Sequence, residues 1–187
     1  PITKMMYFKI ISDSLIIGNS LLNNGVSLIQ VITRDSRNHP EFPTSGSRSI
    51  WTSTFSGSFL GGNQDYHKHI LDFNWFTPLY KKFTMSQVFK MGILEKIDQT
   101  NGDRSVIPPS TRFIMGGTGI PYGEMLRGYT ENRVGPSSQR GNVMMKYSLE
   151  FRLSLSENPT IYALSFIDMD FNFSMVSPGI VSPSGNG

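Results

Sequence analysis

The chain has 187 residues, of which 38% are hydrophobic and 17% charged, with a formal net charge of +3 and no cysteine. This composition excludes a disordered chain, the absence of cysteine excludes a disulfide framework and thiolate metal sites, and scattered Lys and Arg exclude the basic stripe of a nucleic-acid binder. No run approaches the roughly 18 apolar residues of a membrane-spanning helix, a test blind to β-barrels because their strands are only half apolar.

The dominant period along the chain is two, which predicts strands and no amphipathic helix. In chain order the first candidates are Thr3–Ile17 and Gly25–Asp35, where alternation is weak. In Ser47–Phe59, Trp51, Phe55 and Phe59 share one face, opposite Arg48, Thr52, Thr54, Ser56 and Ser58. His67–Thr77 sets Leu71, Phe73 and Trp75 against Lys68, Asp72 and Asn74. Phe83–Ile93 sets Phe83, Met85, Phe89, Met91 and Ile93 against Thr84, Ser86, Lys90 and Gly92. The clearest strand is Asn142–Leu155, where Val143, Met145, Tyr147, Leu149, Phe151, Leu153 and Leu155 oppose a face on which only Met144 is apolar. Thr160–Phe173 is the seventh and alternates poorly around Leu164 and Phe166.

Two folds fit such a pattern. A soluble sandwich would pack Trp51, Phe73, Trp75 and Phe151 into a core. A barrel in lipid would turn them outward, with Trp51, Tyr66, Trp75, Tyr80, Tyr147 and Tyr162 as lipid-facing or girdle residues. Strand length favours the barrel. Fourteen residues at about 3.3 Å each span roughly 46 Å, or near 35 Å of height at a tilt of about 40°. The connections agree, because Glu41–Gly46, Pro78–Lys82 and Ser156–Pro159 are short while Asp98–Gln139 is long. Mid-strand charges such as Lys146 and Glu150 also suit a wet lumen.

Three segments resemble a known family. Asp35–Arg48 fits a D-x-R-x-x-x-x-x-P-T-x-G-S-R turn, with Pro40, Pro43 and Gly46 shaping the reversal. Met115–Tyr129 carries paired glycines and ends in Leu126-Arg127-Gly128-Tyr129, with Val134-Gly135-Pro136 downstream. Gly141-Asn142, Ser148-Leu149-Glu150-Phe151 and Phe166-Ile167-Asp168-Met169 follow in order. Together they resemble the BamA family of outer-membrane assembly factors over roughly residues 20–169. The departures are Leu126 and Tyr129 in place of Val and Phe, Asp170 where the family has Gly, and a tail beyond Phe171 that does not match.

The resemblance implies an all-β, antiparallel transmembrane β-barrel in the bacterial outer membrane, of which this chain supplies about seven strands. Residues 1–187 are then a barrel domain incomplete at both ends, since Pro1 opens directly onto a strand and Ser182–Gly187 reads as a loop that stops. It implies a lumenal loop, 98–139, latched by Arg127 against Glu150 and Asp168, with Gly128 letting the backbone approach the wall and Tyr129 completing the motif. Alternation independently puts Glu150 on the wet face. The implied function is non-enzymatic insertion and folding of outer-membrane proteins, with unfolded clients, membrane lipids and accessory lipoproteins as partners. A polypeptide-secreting transporter of the same superfamily is the alternative, and a soluble β-sandwich binding module is the other. No cofactor or metal is expected: His39, His67 and His69 find no third ligand at a useful spacing. Gly116-Gly117-Thr118-Gly119 lacks the Lys-Ser/Thr ending of a phosphate loop, and no hydrolase elbow is present.

Overall fold

A computed structural model describes residues 2–17, 21–62, 64–97, 107–118, 123–130, 141–157 and 160–174. They form one seven-stranded sheet in which every strand pairs antiparallel with its neighbours in sequence. The strands are β1 (Thr3–Ile17), β2 (Leu21–Asp35), β3 (Gly46–Ser56), β4 (Tyr66–Tyr80), β5 (Phe83–Lys96), β6 (Val143–Glu157) and β7 (Thr160–Phe173). In such a meander, connections alternate between the two ends of the sheet. Residues 36–45 and the two-residue turn at Lys81–Lys82 lie at one end, and residues 57–65 and the long β5–β6 connection lie at the other. Pro78, which cannot donate to a ladder, falls at a register shift just before the tight turn.

The two faces are inverted relative to a soluble protein. On the outer face Trp51, Leu71, Met145, Leu155 and Phe171 are all at least one-third exposed. On the inner face the side chains removed from solvent include the hydroxyls of Ser56, Thr84, Ser86 and Ser148. Burying hydroxyls while leaving tryptophan and phenylalanine outside is costly in water and favourable in lipid. There is a single sheet, so Trp51, Phe73, Trp75 and Phe151 do not meet as a sandwich core. The small apolar core that exists is on the inner face, where Tyr66, Leu94 and Met144 pack against Phe113 and Met115 of the long connection.

The sheet also curls. Phe42, at the tip of the β2–β3 turn, stacks on Tyr162 of β7 with ring centroids 5.5 Å apart. In a flat sheet β3 and β7 would lie roughly 19 Å apart, four strand spacings of about 4.8 Å.

Several expectations change. β3 ends at Ser56, because Gly57 takes φ +73 and the Asp65 carboxylate accepts the Ser58 backbone N–H at 2.7 Å. Phe59 therefore sits in a 3-10 turn, Ser58–Leu60, beyond the end of the strand that carries Trp51. Tyr66 and Tyr162 face inward, not toward lipid: one is in the inner core and the other is stacked on Phe42. The β2–β3 connection occupies residues 36–45, longer than the Glu41–Gly46 turn read from sequence.

Candidate functional site

The described parts of the long connection, residues 107–118 and 123–130, lie against the inner face. Its backbone is tied to itself first. Gly116 N–H donates to Glu124 O at 3.1 Å, Leu126 N–H to Gly117 O at 3.1 Å and Gly117 N–H to Tyr129 O at 3.1 Å. Gly116, Gly117 and Gly128 all have positive φ, which explains the glycine density of this stretch.

Apolar contacts seat this unit on the wall. Phe113 and Met115, both almost fully buried, meet Leu94 and Met144. Gly92 of β5 makes the notch for Phe113: a Cβ built there would lie 2.4 Å from the Phe113 ring. Its place on the polar face in the sequence is a vacancy for a ring, not a weak point in the strand.

Polar contacts then fix the register. Lys68 of β4 donates to Thr111 O at 2.7 Å and lies over the Phe113 ring. Lys90 of β5 pairs with Glu124, and Lys146 of β6 donates to Met125 O. The densest set surrounds Arg127. Its Nε and Nη2 donate to the two oxygens of Asp168, each at 2.8 Å, and Nη1 donates to Glu150 Oε1 at 2.7 Å. Arg152, from the same strand as Glu150, holds the other Glu150 oxygen at 2.6 Å. The guanidinium also lies over the Phe166 ring, 3.7 Å from its centroid. Charge-assisted, forked bonds of this kind are among the stronger polar contacts a protein makes, and the ring adds a cation–π term. The Asp168 side chain is only 7% exposed, so the pair is largely shielded from solvent. The Asp168 hydrogen bonds push the Arg127 pKa up from its ordinary value, against the opposing effect of burial.

Arg127, Glu150 and Asp168 are thus brought together. Gly128 is adjacent, but a Cβ there would meet nothing within 4 Å. It is required by its φ of +84, not by close approach to the wall. Tyr129 is 58% exposed, and its backbone carbonyl is the part used. Val134-Gly135-Pro136 and the ends of the 98–139 loop lie outside the described residues. His67 and His69 sit on the outer face beside Phe55, with ring centroids 5.2 Å apart, while His39 is in the turn at the opposite end.

Sequence reasoning missed Phe166, Arg152, Lys90 and Glu124. Phe166 had a signal: an aromatic on the face of Asp168 spoils the alternation of β7, and a stacking platform for a cation is the reason. Nothing in one sequence pairs Lys90 with Glu124, which are 34 residues apart.

The turn at the other end is built differently. The Arg37 guanidinium forks onto Asp35 at 2.7–3.2 Å and donates to Pro40 O at 2.9 Å. The Asp35 bond raises the Arg37 pKa. The Asn38 side chain accepts from Thr44 N–H and Ser45 N–H at 3.0 and 3.1 Å.

Comparison with known proteins places this geometry. Among curated proteins none matches the sequence. A solved structure of BamA from Haemophilus ducreyi lacking POTRA domains 1–3 superposes with a TM-score of 0.65 at 16% identity, covering 82% of this chain and 31% of that one. The fold is thus that of an outer-membrane β-barrel wall, and the chain spans about a third of that structure's length. Residues 17–178 match the model of the Omp85 superfamily domain. The chain belongs to the Omp85 superfamily, as an integral β-barrel segment of the outer membrane.

Proposed function

We propose that this chain is wall and plug of a barrel that folds and inserts other β-barrel proteins into the outer membrane, with the loop segments 107–118 and 123–130 locked in the lumen by Arg127. The observation that carries the reading is the forked bond of Arg127 to Asp168 with its third donor on Glu150. It joins the loop to two adjacent strands at once, so loop position and wall geometry are coupled. A polypeptide conduit is disfavoured by what fills this side of the lumen, an apolar cluster of Tyr66, Leu94, Phe113, Met115 and Met144. The partners in this reading are unfolded outer-membrane proteins, the bilayer and accessory lipoproteins. No covalent chemistry is involved: the protein works by offering shape, backbone and a locally weakened membrane.

The test reconstitutes the full-length protein in liposomes and adds a urea-unfolded barrel client, following folding by heat-sensitive gel mobility. Client folding should accelerate, and Arg127→Ala should remove most of that acceleration, about tenfold. Unchanged client folding would sink the insertion reading. Delivery of the client into the vesicle interior as a protease-protected soluble chain would assign transport instead.

A further inference from the structure

One row of the inner face carries charges that the latch does not use. Strand register places Asp72 opposite Lys90, Lys90 opposite Lys146, and Lys146 opposite Asp170. Directly opposed residues in an antiparallel sheet have Cβ atoms about 4.5–5.5 Å apart on one face, within reach of a lysine. The row therefore reads acid, base, base, acid across β4, β5, β6 and β7. Two like charges directly opposed at its centre are destabilising unless each is drawn elsewhere.

In the docked arrangement the loop draws them. Lys90 pairs with Glu124 and Lys146 donates to Met125 O. The flanking acids are left over. Among the described residues, Asp72 accepts only a hydrogen bond from Asn74, two residues along its own strand, at 2.7 Å. Both carboxylate oxygens of Asp170 are buried and find no hydrogen-bond partner among the described residues. A buried carboxylate without a partner is costly and calls for a reason.

We propose that Asp72 and Asp170 are the alternative partners of Lys90 and Lys146, engaged when the loop leaves the wall. The row is a charge-exchange device: each lysine swaps a loop acceptor for a wall carboxylate, so undocking leaves neither lysine unpaired. The lone Asp170 of the docked form is the vacant half of that exchange. The inference rests on the reading that Arg127 latches a movable loop, and adds what makes the latch reversible.

The experiment uses the full-length protein in lipid nanodiscs. Spin labels on Met125→Cys and Leu155→Cys report docked and undocked loop populations by pulsed dipolar spectroscopy. Asp170→Asn removes the acceptor of the undocked state and should lower the undocked-to-docked ratio about fivefold, a factor within reach of one partly shielded ion pair. Relief of repulsion between Asp170 and Glu124 would shift the ratio the same way, so the cycle with Lys146→Gln decides. Exchange predicts that Asp170→Asn has little effect once Lys146 is gone. An equal drop in the Lys146→Gln background, an unchanged ratio, or a rise would overturn the proposal. Asp72→Asn with Lys90→Gln repeats the cycle at the other end of the row, should one variant fail to fold. Arg127→Ala is measured alongside: an unmoved loop there would overturn the latch alone, while the two cycles still judge the exchange.

Discussion

The turn at residues 36–45 and the loop segments 107–118 and 123–130 both leave the sheet and fold back over its inner face, and they are held in opposite ways. The turn is closed by bonds between residues 2 to 11 apart in sequence, such as Arg37 with Asp35, Asn38 with Thr44 and Ser36 with Ser47. The loop is fixed to the wall by partners 21 to 59 residues distant, such as Lys146 with Met125, Arg127 with Glu150, Lys90 with Glu124, Lys68 with Thr111 and Asn172 with Phe113. Local closure costs little chain entropy and yields a part that is formed as soon as its strands pair. Long-range attachment makes a part whose position depends on the wall. The exchange proposed above would let the wall release it, giving a rigid element at one mouth and a detachable one at the other.

The largest expected effect breaks the detachable side. Arg127→Ala leaves Asp168 buried without its counter-charge, and should cost the docked loop about 3 kcal/mol, the low end for breaking a buried pair because 29% of the Arg127 side chain stays accessible. Amide exchange at Phe113, whose N–H donates to Gly141 O beside β6, should accelerate more than a hundredfold while Thr44 and Ser45 stay protected. Equal acceleration at both ends would mean that the two regions are not independent. Next comes the rigid side. Gly46 has φ +96, and a Cβ there would lie 2.2 Å from Ser36 O. Gly46→Ala should therefore cost about 2 kcal/mol. It should lower the temperature at which the barrel loses its compact gel mobility and leave the loop population unmoved.

These positions also show what the sequence could and could not disclose. Period-two alternation located all seven strands because each side chain on a pleat meets one medium, lipid or lumen. It failed where a local contact outweighs the medium. At Phe166 an inward aromatic serves as a platform for a cation. At Tyr66 it was the girdle reading that failed, because this tyrosine shares the face of Lys68 and completes the core beneath Phe113. Alternation failed again at Ser56, because the strand is ended by Asp65 nine residues later, accepting from a backbone N–H. Glu150 was legible by alternation alone. Asp168 and Arg127 needed a motif, since the loop between β5 and β6 has no period to fix its side chains. The pairing of Lys90 with Glu124 was legible by neither route.

Two smaller perturbations sharpen the contrast. Gly92→Ala pushes a methyl group into the Phe113 ring without touching any charge, and overpacking of this kind costs about 1–2 kcal/mol. It should loosen the loop and spare the turn, which separates the apolar seat from the ionic latch. Phe42→Ala is the smallest. Phe42 is 43% exposed and stacks on Tyr162 across the mouth and, less closely, on His39 of its own turn, so about 1 kcal/mol is at stake. Because the turn is closed by its own bonds, Thr44 and Ser45 amides should remain protected when the ring is lost. The change belongs at the mouth, where Tyr162 becomes free of its partner and its ring flips faster by aromatic NMR. If protection of Thr44 collapses instead, the turn depends on the far wall, and the division into a self-closed end and a detachable end is wrong.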